Sequence, residues 1–93
     1  MAQLKMNKHE VYNYIADHPE WFSEDRYLSC AEIAERINRI LRKETESDDF
    51  IVLRGATLTA MVYDEVLIRM YSETLHCYTY RPILPIVEEY KLT

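Results

Sequence analysis

Residues 76–92 read HCYTYRPILPIVEEYKL, and the way they fold decides how the rest of the chain is arranged. Two runs with strand character, 76–81 and 87–92, flank Pro82-Ile83-Leu84-Pro85, a connector with no glycine, asparagine or charge. The alternation in HCYTYR and the Val, Tyr and Leu content of VEEYKL predict an antiparallel hairpin. Two prolines keep such a hairpin short and at the edge of a sheet. Connectors usually run over the surface and are polar, so an apolar one is either an exposed interface or a cover folded back on the core.

Upstream of the hairpin the chain reads as helical. In NKHEVYNYIADHPEWF, Asn7 and Glu10 stand three apart and can each satisfy a free N–H at a helix start. Val11, Tyr14 and Ile15 give an apolar stripe, Pro19 makes His18 the end, and Trp21 and Phe22 are placed to cap the core from the following loop. In SCAEIAERINRILRK, Ser29 and Glu32 form a second capping box ahead of Ile33, Ala34, Ile37, Ile40 and Leu41. Its Arg36, Arg39 and Lys43 fall on one face away from that stripe.

The acidic run KETESDD then predicts an exposed loop, FIVL a short strand, and Arg54-Gly55 a turn. From Thr57 as cap, apolar residues at 58, 61, 62, 66 and 70 predict a third helix to about Tyr71. The expected order is helix, helix, strand, helix, strand, strand: an α+β chain of three helices with a small antiparallel sheet.

Ninety-three residues, 48% hydrophobic and 29% charged, suit one domain over 1–93 with a single small core. One Gly and three Pro leave no room for a flexible linker, and no internal repeat is visible. The first ten residues lack the apolar stretch of a secretory signal, and no window reaches the roughly 20 apolar residues that span a bilayer. The expectation is a cytoplasmic protein with no membrane partner, in which Cys30 and Cys77 are small buried hydrophobes. His9, His18 and His76 and the two cysteines show no zinc spacing, and one glycine cannot build a phosphate loop or a nucleophile elbow. No cofactor, metal or enzymatic activity is expected.

A net charge of −5 opposes non-specific nucleic-acid binding. The distribution is uneven: residues 29–43 carry four bases against two acids, and residues 44–56 four acids against Arg54. Tyrosine, present eight times, is enriched at interfaces. Tyr78 and Tyr80 should share one strand face, with Thr79 and Arg81 on the other.

The segment Ser29, Ala31-Glu32-Ile33-Ala34, with Tyr90-Lys91-Leu92 closing the last strand, resembles a winged helix-turn-helix domain. The resemblance implies that the third helix is the recognition helix and that residues 81–91 form the wing. Two readings follow. In the first the chain is a small DNA-binding transcriptional regulator of double-stranded DNA, with Arg36, Arg39, Arg54, Thr57, Thr59, Arg69 and Arg81 as contacts. In the second it is an acidic protein-interaction module or inhibitor that binds another protein through its acidic loop and apolar wing. The second is suggested by three acids against one arginine in the third helix as read, and by aliphatics where a basic wing tip would stand. Tyr80, Ile83, Leu84 and Ile86 would then form the interface, with a protein partner or with a second copy as a homodimer.

Overall fold

A computed structural model describes residues 3–46 and 48–92. It is an α+β fold in which three α-helices pack with a three-stranded antiparallel sheet, beside a second sheet of two short parallel strands. The elements are β1 (Gln3–Leu4), α1 (Lys8–Asp17), a 3-10 segment (Pro19–Asp25), β2 (Leu28–Ser29), α2 (Cys30–Thr45), β3 (Phe50–Ile51), α3 (Gly55–Tyr63), β4 (Leu67–Ser72), β5 (Cys77–Pro82) and a 3-10 turn (Glu88–Tyr90).

Both capping boxes form. Asn7 Oδ1 accepts the Glu10 N–H at 2.9 Å and Glu10 Oε1 accepts the Asn7 N–H at 3.2 Å. Ser29 Oγ and Glu32 do the same for α2, at 3.2 and 3.0 Å. These bonds satisfy backbone donors that have no partner within the helix. Helix α1 buries Val11, Tyr12 and Ile15, and α2 buries Ile33, Ile37 and Leu41. Phe22 closes the core from the 3-10 segment with Trp21 packed beside it.

The third helix is shorter than its apolar period predicts. It begins at Gly55 with Arg54 as N-cap and ends at Tyr63, eight residues before Tyr71. Glu65 adopts a left-handed conformation (φ 63°), and the Glu65 and Val66 N–H groups donate to Val62 and Met61 carbonyls at 3.0 and 3.1 Å. That pair of bonds is the Schellman termination, with the usual apolar contact supplied by buried Val66 and Met61. Glycine normally occupies the left-handed position; glutamate does so here, which hides the stop.

The hairpin is therefore not the predicted one. Residues 77–82 are a strand, but the partner is Leu67–Ser72, in register Leu67↔Pro82 to Ser72↔Cys77. The turn between them is residues 73–76, where Ser72 Oγ accepts the Leu75 N–H at 3.1 Å. On the other edge of β5, Leu28 pairs with Tyr80 and Ser29 with Thr79, so the strand order is β2-β5-β4. With both edges of β5 occupied, residues 87–92 cannot pair with it.

They cross α1 as a strap instead. Tyr12 Oη accepts the Val87 N–H at 3.0 Å, and Asn13 exchanges two bonds with the Leu92 backbone at 2.8 and 2.9 Å. Lys91 reaches Asp17 at 3.1 Å, and the Tyr90 ring packs edge-on against Tyr12. The aliphatics of the connector are exposed, Ile83 by 38% and Leu84 by 66%, while Ile86 and Val87 just after it pack against the core.

The predicted FIVL strand forms as Phe50–Ile51, paired in parallel with Gln3–Leu4. Asn38 of α2 holds it by donating to the Ile51 carbonyl at 3.0 Å and accepting the Ile51 N–H at 2.7 Å.

Candidate nucleic-acid interface

Helix α3 turns Leu58 and Met61 into the core and leaves Gly55, Ala56 and Tyr63 exposed, with Thr57 and Thr59 half-buried between. No residue from Gly55 to Tyr63 is charged. The acids assigned to this helix from its period lie elsewhere. Asp64 is its C-cap, Glu65 sits in the terminating turn, and Glu73 belongs to the hairpin turn. Asp64 accepts from Lys8 Nζ at 2.7 Å and from Tyr90 Oη at 2.5 Å. These bonds, Lys8's first, hold its carboxyl below the ordinary carboxylate range. Tyr90's phenol is pushed well up, by burial first and then by the bond to Asp64.

At the opposite end of α3 the field is positive. Lys5, Arg54 and Thr57 line one open cleft of about 300 Å³ together with Leu4, Met6 and Val52, and none of its lining residues is a carboxylate. Neither the Lys5 nor the Arg54 side chain makes a hydrogen bond or ion pair with another described residue. The N–H groups of the first helical turn add their partial positive charge. Lys5 is not among the residues to which the sequence points. It lies 49 positions from Arg54 in the chain and is brought near by a two-residue parallel pairing, which has no local signature.

The remaining candidates do not form one patch. Arg36 is half-buried on α2 and free of ion pairs among the described residues. Arg39 is spent on Glu35, one turn away at 2.7 Å. Arg69 and Arg81 leave opposite faces of the hairpin, because Arg69 stands across from Tyr80 and Arg81 across from Ile68. The Arg69 guanidinium lies 4.3 Å over the Tyr78 ring. Arg81 contacts Asp25 at 3.4 Å and lies 5.7 Å over Tyr27.

Of the residues expected at a protein interface, Tyr80 is 4% exposed, since its face of β5 is the one packed with Leu28 and Leu67 into the core. Ile86 is likewise half-buried against the core. Ile83 and Leu84 remain accessible, and with Ile68, Tyr27 and Arg81 they line a second cleft of about 350 Å³.

Both cysteines are free and half-buried. Cys30 donates to the Leu53 carbonyl at 3.1 Å, and burial, then nearby Cys77, pushes its thiol up. Among the described residues no three His, Cys, Asp or Glu side chains converge to hold a metal ion, and no helix is long and apolar enough to cross a membrane. No family model, curated protein or solved structure matches this chain.

Proposed function

We propose that the chain is a non-enzymatic winged-helix-type regulator that binds double-stranded DNA through α3 and the cleft at its N-terminus. The observation that carries this reading is the cleft itself: Lys5 and Arg54 unpaired among the described residues, Thr57 beside them, no carboxylate in the lining, and a helix N-terminus behind. Phosphate is the anion such a site suits. The exposed start of α3 is small and neutral at Gly55 and Ala56, so a helix could enter a major groove without a carboxylate facing the backbone. The acids behind the overall charge of −5 include Glu44, Glu46, Asp48 and Asp49 around the end of α2 and others in the 3-10 segment and the strap, and none of them lines this cleft.

Titration against mixed-sequence duplex DNA at low and moderate salt tests it. Binding should weaken steeply with salt, and Lys5→Glu with Arg54→Glu should lower the logarithmic salt slope by about 2, one unit for each phosphate no longer neutralised. Arg42→Glu is the control, because Arg42 lines a separate cleft with Asp48 and Asp49. Affinity unchanged by the double reversal, or reduced equally in the control, removes the reading.

A second reading has one observation in its favour. Ile68, Ile83 and Leu84 are exposed together around the Tyr27–Arg81–Asp25 contact, a surface suited to a protein partner.

A further inference from the structure

We propose that two copies of this chain associate through the free edge of β4, antiparallel about a two-fold axis at Met70, to give a continuous six-stranded sheet.

Strand β4 ends the order β2-β5-β4. Which of its backbone groups are free follows from the register. The Ile83 N–H donates to the Val66 carbonyl at 3.0 Å, and these residues stand opposite each other in the same register as Leu67↔Pro82. Hydrogen-bonded pairs alternate along an antiparallel ladder. The bonded pairs are therefore Ile68–Arg81, Met70–Thr79 and Ser72–Cys77. Pro82, which has no N–H to give, duly falls in a non-bonded pair. Leu67, Arg69 and Tyr71 consequently aim their N–H and C=O groups away from β5, toward the open edge.

Proteins usually blunt a free edge with proline, lysine, a bulge or a covering element. Leu67–Ser72 has no proline, lysine or bulge, and its two outermost hydrophobics, Met70 and Tyr71, are each 52% exposed. The opposite edge, β2, is two residues long and runs directly into α2, so β4 is the edge that can take a strand.

Side chains select both the occupant and the register. The outward groups require odd residues of one copy to pair with odd residues of the other. Arg69 opposite Arg69 sets like charges face to face. Tyr71 opposite Tyr71 puts Arg69 against Glu73, which lies in the turn beyond the strand. Met70 on the axis places Arg69 opposite Tyr71 twice, and each guanidinium, already over Tyr78, gains a second ring. On the other sheet face Met70 meets Met70, flanked by the exposed Ile68 of each copy. The strand is thus complementary to itself, as an isologous interface demands.

Sedimentation equilibrium of the full chain tests this. The wild type should show twice the 11.2 kDa monomer mass, and Arg69→Glu should fall to the monomer with its circular dichroism unchanged. The double variant Arg69→Glu with Tyr71→Lys should recover the dimer, because the proposed register alone sets the introduced carboxylate of one copy against the introduced ammonium of the other. Tyr71→Pro removes an outward N–H and the edge-on contact of the Tyr71 ring with Tyr78 but no backbone bond to β5, and should give a folded monomer. A monomeric wild type, a dimeric Arg69→Glu, or a folded double variant that stays monomeric overturns the proposal.

Discussion

Asn38 grips Ile51 with both halves of its amide, at 2.7 and 3.0 Å, and so ties the cleft-forming strands to the longest helix. Strand β3 has two ladder residues and β1 has two, too few to hold position alone. The chain of support runs from α2 through Asn38 to β3, from β3 to β1, and from β1 to Lys5. Asn38→Ala should cost about 1–3 kcal/mol by leaving two backbone groups unsatisfied. It should also weaken duplex binding although residue 38 lies outside the cleft. Asn38→Asp keeps the acceptor and loses the donor, so its drop in thermal midpoint should be intermediate.

The division between the exposed connector and the residues that follow it gives a second expectation. Ile83→Ser and Leu84→Ser alter exposed aliphatics and should change stability by less than about 0.5 kcal/mol. Ile86→Ser and Val87→Ser remove side chains packed on the core and should each cost about 1–3 kcal/mol. Four denaturant melts decide the matter; equal effects across the four would show the division to be wrong.

Termination of α3 by Glu65 predicts a stabilising substitution. A left-handed conformation costs a non-glycine residue about 1–2 kcal/mol, and the Glu65 side chain projects into solvent. Glu65→Gly should raise stability by about 1 kcal/mol after the greater unfolded-state freedom of glycine is counted. That corresponds to a rise of about 4–8 °C in the thermal midpoint for a domain of this size.

The same residue marks the boundary of what local sequence signals carry. Both capping boxes and the ends of α1 are legible because their signals, Asn7/Glu10, Ser29/Glu32 and Pro19, act over four residues or fewer. The stop of α3 is not, because its left-handed position carries no glycine and the apolar period runs on through Val66 and Met70. Strand β4 does not alternate polar and apolar: Leu67 faces the core, while Ile68 and Met70 are apolar on the open face. The strap reads as a strand because VEEYKL has strand-like residues, whereas its fate is set by β2 already occupying β5. Of the candidate site, Arg54 and Thr57 are legible as polar residues at a helix start; Lys5 is not, since only tertiary pairing brings it there.

The strap should respond to pH at both extremes. Asp64 is held below the ordinary carboxylate range by Lys8 and Tyr90, so its contribution is present at neutral pH and is lost as pH falls below about 4. Tyr90 is raised by burial and by Asp64, so its hydrogen bond persists through neutral pH and is lost as pH rises beyond about 10. The protection of the Val87 and Leu92 amides, which bond to Tyr12 and Asn13, measured against the unfolded-chain exchange rate at the same pH, should fall at both ends of the range. Asp64→Asn should weaken the acid limb, of which the Lys91–Asp17 ion pair remains, and leave the alkaline one, since the tyrosine still titrates.

Gly55 allows stability and binding to be driven in opposite directions. It is the first residue of α3, its φ is not positive, and a Cβ placed on it meets nothing within 4 Å. A Cβ is therefore accommodated without strain. Gly55→Ala should be neutral or stabilising by up to about 0.5 kcal/mol. Gly55→Glu places a carboxylate in the first turn, where the helix dipole favours it by about 0.3–1 kcal/mol, so this variant should melt higher than the wild type. The same carboxylate stands at the mouth of the Lys5–Arg54 cleft, where it would neutralise the bases and repel phosphate. Duplex affinity should accordingly fall about tenfold or more at low salt, the equivalent of one phosphate left without its base. A higher melting temperature with unchanged affinity would mean that DNA does not approach this end of α3.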